Sequence, residues 1–312
     1  MNQWNQQARK VLKGASQSNE FFNTQVFSDH KFPIKIPLEY AQLIDSKNPN
    51  DPLLKQVLPQ VVDVNSAYEL SPLHDEQYSP VDGLIHKYPN RVLLITSQVC
   101  AIHCQYCFRQ NFDYTQHDAL SNWLAIEAYI EKQLAVNEVI LSGGDPLSLS
   151  DEKLEQLIKK IENFQHVNTL RIHSRSIVVI PSRITDKLTQ ILTKTRLEVV
   201  LVTHINHANE LSAAFCKNIA KIENVTLLNQ SVLLKGINDD LDTLTKLSLE
   251  LFSAGILPYY LHMLDKVRGA EHYFVTDEKA TKLHRQLQTK LSGYLVPKLV
   301  RDQGESTKTW LL

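Results

Sequence analysis

From about residue 90 onward, short apolar runs rich in β-branched residues alternate with longer stretches whose apolar residues recur at helical spacing. This alternation restricts the fold more than any other feature of the chain. A strand returning parallel to its neighbour needs a crossover of a dozen residues or more, and an amphipathic helix is the segment that supplies it. The strand candidates are 92–96, 138–141, 169–172, 197–202, 225–228 and 257–261, and the helix candidates are 123–134, 151–164, 184–193, 209–222, 241–254 and 277–291. Six βα units follow, which predicts an α/β fold: a partial (β/α)6 barrel. No internal repeat or low-complexity tract is evident, so the regularity lies in periodicity alone.

Residues 1–85 read differently. Seven of the 12 prolines fall there, Pro33, Pro37, Pro49, Pro52, Pro59, Pro72 and Pro80. Proline donates no hydrogen bond, so long strands are excluded, and short helices near 38–46 and 53–58 are expected, with a turn at 48–52 starting the second. The chain divides into a helical N-terminal cap, 1–85, and a barrel, 86–312. The 312 residues are 43% hydrophobic, enough for a sizeable core. With 33 Lys and Arg against 34 Asp and Glu, no excess positive charge favours nucleic acid. The opening MNQWNQQARK has no signal-peptide character and nowhere do 18 apolar residues run together, so a cytoplasmic protein without membrane spans is predicted.

In such barrels chemistry gathers on the loops after the strands. The first run is followed by Ser97 and the cysteines, the second by Ser142, Gly143, Gly144 and Asp145, the third by His173, Ser174 and Arg175. The fourth ends in Thr203, His204, Asn206 and His207, the fifth in Asn229 and Gln230, the sixth in His262 and Asp265. Three of the four cysteines, Cys100, Cys104 and Cys107, form a C-x3-C-x2-C loop. Thiolates are soft ligands suited to zinc or to iron–sulfur iron. A zinc knuckle would need a fourth ligand, for which His103 is available, whereas three thiolates on a four-iron cluster leave one iron open to a substrate or cofactor. Both readings are open at this point, as is that of buried cysteines alone.

The triplet, with Tyr106 before the last cysteine, resembles the radical S-adenosylmethionine signature, and Ser142 to Pro146 resembles the glycine-rich motif of those proteins. The runs 86–93 (HKYPNRVL), 107–109 (CFR), 172–185, 203–210 (THINHANE), 229–239 (NQSVLLKGIND) and 259–265 are similar to lysine 2,3-aminomutases. The short length and the ending GYLVPKLVRDQGESTKT are similar to the group that makes (R)-β-lysine for elongation factor P. The match spans about residue 47 to the end.

The resemblance implies a [4Fe-4S] cluster on Cys100, Cys104 and Cys107, with S-adenosylmethionine at the open iron beside Ser142, Gly143, Gly144, Asp145, His204 and Gln230. It implies pyridoxal 5′-phosphate held through a Schiff base to Lys308 in the C-terminal segment, with Arg91 on the phosphate and Lys87 and Tyr88 nearby. L-lysine would place its carboxylate on Arg109 and its distal ammonium on Asp265 and Asp302. Asp302 lies six residues before Lys308, where the family pattern has seven. A functional link to elongation factor P and its β-lysine ligase, and an electron donor such as flavodoxin or ferredoxin, are also implied. Longer members carry a zinc site built on a cysteine that Asp240 replaces here and on a C-terminal extension, so no zinc is expected. Cys216 reads as a core thiol. A radical enzyme without pyridoxal phosphate, or acting on another amino acid, and a non-catalytic metal or redox-sensing barrel are the alternatives.

Overall fold

The computed structural model describes residues 3–60, 67–112, 118–302 and 308–311. Strands β1 (Val11–Lys13) and β2 (Lys35–Pro37) form a small antiparallel pair in the N-terminal segment. The remaining strands are β3 (Leu84–Tyr88), β4 (Arg91–Ser97), β5 (Glu138–Gly143), β6 (Thr169–Ser174), β7 (Glu198–His204), β8 (Thr226–Val232), β9 (Leu257–His262), β10 (Lys298–Arg301) and β11 (Thr309–Trp310). They make one nine-stranded sheet in the order β11-β10-β9-β8-β7-β6-β5-β4-β3. Pairing is parallel from β4 through β10, while β3 and β11 are antiparallel additions at the two edges.

All six predicted strands are present, β4 to β9, each followed by its helix. The sequence reading missed β10, a seventh parallel strand of four residues, and both edge strands. The sheet is not a closed ring among the described residues, yet it curls. Lys87 on β3 and Asp302 just past β10 lie near opposite ends of the strand order, and still Lys87 Nζ and Asp302 Oδ1 are 2.9 Å apart. Only a sheet bent into a barrel brings them together.

The helices cover one face of the sheet. Trp123, Ile126 and Ile130, then Leu154, Leu157, Ile158 and Ile161, then Leu188, Ile191 and Leu192, and finally Phe215 and Ile219, pack against Leu94, Val139, Leu141, Leu170, Ile172, Val199 and Leu201. Each such side chain contributes roughly 1.5–3 kcal/mol by leaving water. Strand residues alternate faces, so on β6 Leu170 and Ile172 meet the helices while Arg171 and His173 turn to the barrel interior. Ser150, Thr185, Ser212, Asp240 and Thr276 cap the helices Asp151–Glu162, Asp186–Thr193, Ala213–Ile219, Leu241–Ser253 and Asp277–Lys290 by accepting a backbone N–H of the first turn. The Ser212 cap explains why the fourth helix starts at Ala213 and not near 209, where Ala208–Glu210 makes a 3₁₀ turn.

In the N-terminal segment the helix near 38–46 shrinks to Leu38–Ala41 and that near 53–58 to a 3₁₀ turn, Leu54–Gln56. Asp51 starts that turn as expected, accepting from Leu53 N at 2.9 Å and Leu54 N at 2.7 Å. A helix over Gly14–Phe22 was not anticipated. The apolar side chains of this segment, among them Phe22, Ile36, Tyr40 and Leu53, form a cluster with Ile102, Val179 and Ile180. The N-terminal segment therefore sits on the cysteine loop and on the turn after β6.

Candidate active site

The cysteine loop leaves β4 and is braced from two sides. On one side Lys35 Nζ donates to Cys100 O at 2.6 Å, and His103 N donates to Lys35 O at 3.0 Å. On the other, Gly144 N donates to Ser97 O at 2.7 Å and Asp145 N to Val99 O at 3.0 Å. A Cβ on Gly144 would lie 2.8 Å from Ser97 O and Val99 O and 2.9 Å from Val99 N, all backbone atoms, so no larger residue fits without moving the loop. Gly143 has φ +109°, a conformation in which glycine is unstrained. Ser142 is buried, and its carbonyl accepts from Thr96 Oγ1 at 3.1 Å.

Asp145 is buried and fully engaged. It accepts from Leu147 N, Ser174 Oγ, Arg175 N and Ser176 N at 2.7–2.9 Å. Its carboxylate fastens the β6 turn to the β5 turn, and this use was not legible in the glycine-rich motif.

Cys100, Cys104 and Cys107 are unpaired thiols of intermediate exposure. They sense one another: burial first, then the charge of Cys104, pushes the Cys107 thiol up to about 12, and burial with Cys107, Asp145 and Cys104 raises that of Cys100. Such a set is costly to ionise without a compensating cation, which is what an iron–sulfur cluster supplies. His103, the fourth ligand of a zinc knuckle, is committed elsewhere: its Nδ1 lies 2.8 Å from Pro33 O and its ring stacks on Phe32. Among the described residues no three His, Cys, Asp or Glu side chains close on a single ion. A four-iron cluster, taking each thiolate on a different iron, does not require that. The loop fits the cluster. Asp240 caps its helix, accepting from Thr243 N at 2.9 Å, and Cys216 packs against the main core.

Deeper in the barrel stand His204 and Gln230, opposite one another on β7 and β8. Burial and the neighbouring Arg175 hold the His204 imidazole down at about 3, so it is neutral. The Tyr106 hydroxyl lies 2.9 Å from its Nε2 and also receives Asn206 Nδ2 at 2.6 Å. His173 and His262 complete a set of interior histidines, both kept neutral by desolvation and nearby cations.

The charged residues named from the sequence converge on one place. Burial first, then the charges of Asp302 and Asp75, pushes the Asp265 carboxyl up to about 7, with Lys308 and Arg109 acting the other way. Burial lowers the Lys308 amine to about 8 against the pull of Asp302 and Asp265, with Arg171 and Arg91 lowering it also. Lys308 Nζ stands 4.7 Å from the centre of the Tyr260 ring. Nearby, the Arg91 guanidinium lies 3.7 Å above the Tyr88 ring, and the buried Tyr88 hydroxyl faces the Arg91 side chain and the Lys308 backbone. An easily deprotonated amine, an aromatic wall, two arginines and a tyrosine hydroxyl suit a phosphorylated pyridine aldehyde, so the residues fit pyridoxal phosphate.

The hairpin of β10 and β11 makes this arrangement. Because β10 runs parallel to the barrel strands, its end carries Asp302 to the side where the other loops emerge, and Lys308 immediately precedes β11. Residues 303–307 lie outside the described residues. Asp265 is no helix cap; Thr276 caps the helix that follows β9.

Three of the residues are already paired within the chain. Arg109 donates from Nε and Nη2 to Asp75 Oδ2, both at 2.9 Å, and Lys87 pairs with Asp302. Asp75 and Arg171 are functional candidates that sequence reasoning missed. Asp75 lies in a short polar run with no periodicity. Arg171 was hidden inside a strand, where the alternation of β6 is the signal that exposes it. A cavity of about 580 Å³ opens beside Asp265 and Asp302, with Glu69, Lys266, Asp277, Glu278 and Arg301 on its wall.

Residues 90–202 match the family described as a 4Fe-4S single cluster domain. Fold and cysteine loop together thus define an iron–sulfur α/β barrel protein. An L-lysine 2,3-aminomutase from Haemophilus influenzae is 44% identical over 96% of this chain and 90% of its own length. One from Escherichia coli K12 is 45% identical over 89% and 83%. The chain belongs to the L-lysine 2,3-aminomutase family. Among solved structures, a radical SAM methyltransferase from Sphaerobacter thermophilus has a TM-score of 0.47 and 14% identity, covering 70% of this chain and 68% of that one.

Proposed function

We propose that the protein is a radical S-adenosylmethionine, pyridoxal phosphate-dependent isomerase that converts L-lysine to (R)-β-lysine. The observation that carries this reading is the convergence of Lys308, Arg109, Asp265 and Asp302 in one recess beside the cysteine loop. When bound, the cluster and S-adenosylmethionine supply a carbon-centred radical that removes hydrogen, and pyridoxal phosphate supplies a π-system across which the amino nitrogen moves.

The chain's own groups do the rest. Cys100, Cys104 and Cys107 hold the cluster, and Gly143 and Gly144 bring the β5 turn close against their loop. Neutral His204, Gln230 and the Ser142–Asp145 turn line the S-adenosylmethionine side. Lys308, lowered toward neutrality, offers an unprotonated amine to the cofactor aldehyde. Arg91 holds its phosphate, with Lys87 and Tyr88 alongside. Arg109 is a fork matched to a carboxylate, and in this structure Asp75 occupies that fork. Asp265 and Asp302 face the distal ammonium; a cation there offsets the burial and the repulsion that raise Asp265 and drives it to the charged form. Glutamate would meet like charge and be refused.

By the same reading the product serves the modification of elongation factor P through a partner ligase in the cytoplasm, and a flavodoxin or ferredoxin supplies the electron. No described helix is long and apolar enough to cross a membrane. The test is an anaerobic assay of the reconstituted protein with L-lysine, S-adenosylmethionine, pyridoxal phosphate and a reductant, followed by chiral chromatography. (R)-β-lysine that forms only when both cofactors are present is the expected result. Turnover without pyridoxal phosphate, or no lysine consumption by protein holding its cluster, would overturn it.

A further inference from the structure

The most heavily bonded cation among the described residues is not in the substrate recess. Arg175, buried on the turn after β6, donates from Nη1 to Cys104 Sγ at 2.9 Å and to the Tyr106 hydroxyl. Its Nη2 donates to Glu210 Oε2 and to Gln56 Oε1, both at 2.8 Å. Its backbone N–H is held by Asp145 at 2.7 Å. Glu210 is fully buried, and its other oxygen accepts from Gln56 Nε2, Asn206 N and His207 N at 2.8–3.2 Å. Three parts of the chain, the N-terminal segment, the β6 turn and the β7 turn, thus fix one guanidinium against one thiol of the cysteine loop. A lone buried arginine–glutamate pair is poor value for stability, since desolvation cancels much of its attraction. Its placement points to the sulfur.

We propose that Arg175 is a positioning residue for the iron–sulfur cluster: it orients Cys104 and, by donating a charged N–H to that ligand sulfur, raises the reduction potential of the cluster, with Glu210 limiting the effect. The inference rests on the cluster reading above. An added electron spreads onto the ligand sulfurs, so a donor there stabilises the reduced form more than the oxidised one. The electron is external, taken up as [4Fe-4S]2+ becomes [4Fe-4S]+, and no bond in the chain breaks. Glu210 opposes the effect with its negative charge and at the same time pins the guanidinium in place.

The experiment is a mediated spectroelectrochemical titration of the anaerobically reconstituted protein without S-adenosylmethionine. The wild type is compared with Glu210→Gln and with the charge-balanced double variant Arg175→Gln/Glu210→Gln. Iron content and melting temperature are measured alongside. A lower midpoint potential in the double variant and a higher one in Glu210→Gln are expected, each with the wild-type iron content. A double variant holding its cluster at the wild-type potential would overturn the proposal. If the double variant holds no cluster, Glu210→Gln decides: a raised potential supports the proposal and an unchanged one refutes it. A wild type that assembles no four-iron cluster would sink the cluster reading itself, a different outcome from an unshifted potential.

Discussion

Asp265 shows how far neighbours set the behaviour of a single side chain. With its carboxyl at about 7 in the fold against an ordinary 3.8, the folded protein binds more protons than the unfolded chain between those values. Stability of the protein without substrate therefore falls as pH rises from about 4 to about 7, at up to about 1.4 kcal/mol per pH unit, and the penalty is fully present above 7. In Asp265→Asn that slope should flatten, and the variant should melt higher than wild type at pH 8. Equal slopes in thermal melts across pH 4–8 would show that another group carries it. The same variant should lose at least about a hundredfold in lysine turnover, because removing half of a desolvated counter-charge costs on the order of 3 kcal/mol. Its cluster spectrum should be unchanged, whereas Cys104→Ala should abolish that spectrum. At this scale spacing alone marks the three cysteines as candidate ligands on one loop and leaves open what they hold. Lys308, Arg109 and Asp302 are candidates only through resemblance, since a lysine in a polar tail and an aspartate after KLVR carry no local signal. Asp75 and Arg175 acquire meaning only from partners 34 and 71 residues away, Arg109 and Cys104.

Helices and barrel strands were legible because the alternation of apolar runs repeats from unit to unit, and five of the six barrel helices start directly after a capping side chain. β10 escaped because four residues, Lys298–Arg301, are too short to show a period, and β11 because two residues show none. The N-terminal helix Gly14–Phe22 escaped because it begins at a glycine with no side-chain cap. One turn tests the architecture at this scale. In Gly144→Ala the new methyl would overlap Ser97 O and Val99 O, so the cysteine loop must shift. Iron bound per chain after reconstitution should fall well below wild type while the far-ultraviolet circular dichroism stays the same. Full iron loading in Gly144→Ala would show that the close approach is not needed.

Over the whole molecule, the fold is an open sheet whose two ends are drawn together at the site. The Lys87–Asp302 pair spans the gap with both side chains largely buried, at 8% and 16% exposure, so it is not screened as a surface pair would be. Lys87→Met should lower the melting temperature by several degrees and detach the C-terminal hairpin, read as faster hydrogen exchange at 298–301; unchanged exchange there would show that the hairpin holds without it. The parallel barrel was readable from the chain, but the contact across its gap was not, because no pattern along a sequence reports which edges of a sheet meet. That contact delivers Lys308 to Arg109 and Asp265. The most direct measurement of this account is borohydride reduction of the protein loaded with pyridoxal phosphate, followed by proteolysis and peptide mass spectrometry. The account predicts a pyridoxyl-phosphate adduct on Lys308, absent from Lys308→Ala. An adduct on Lys87 or on any other lysine, with Lys308 unmodified, would contradict it.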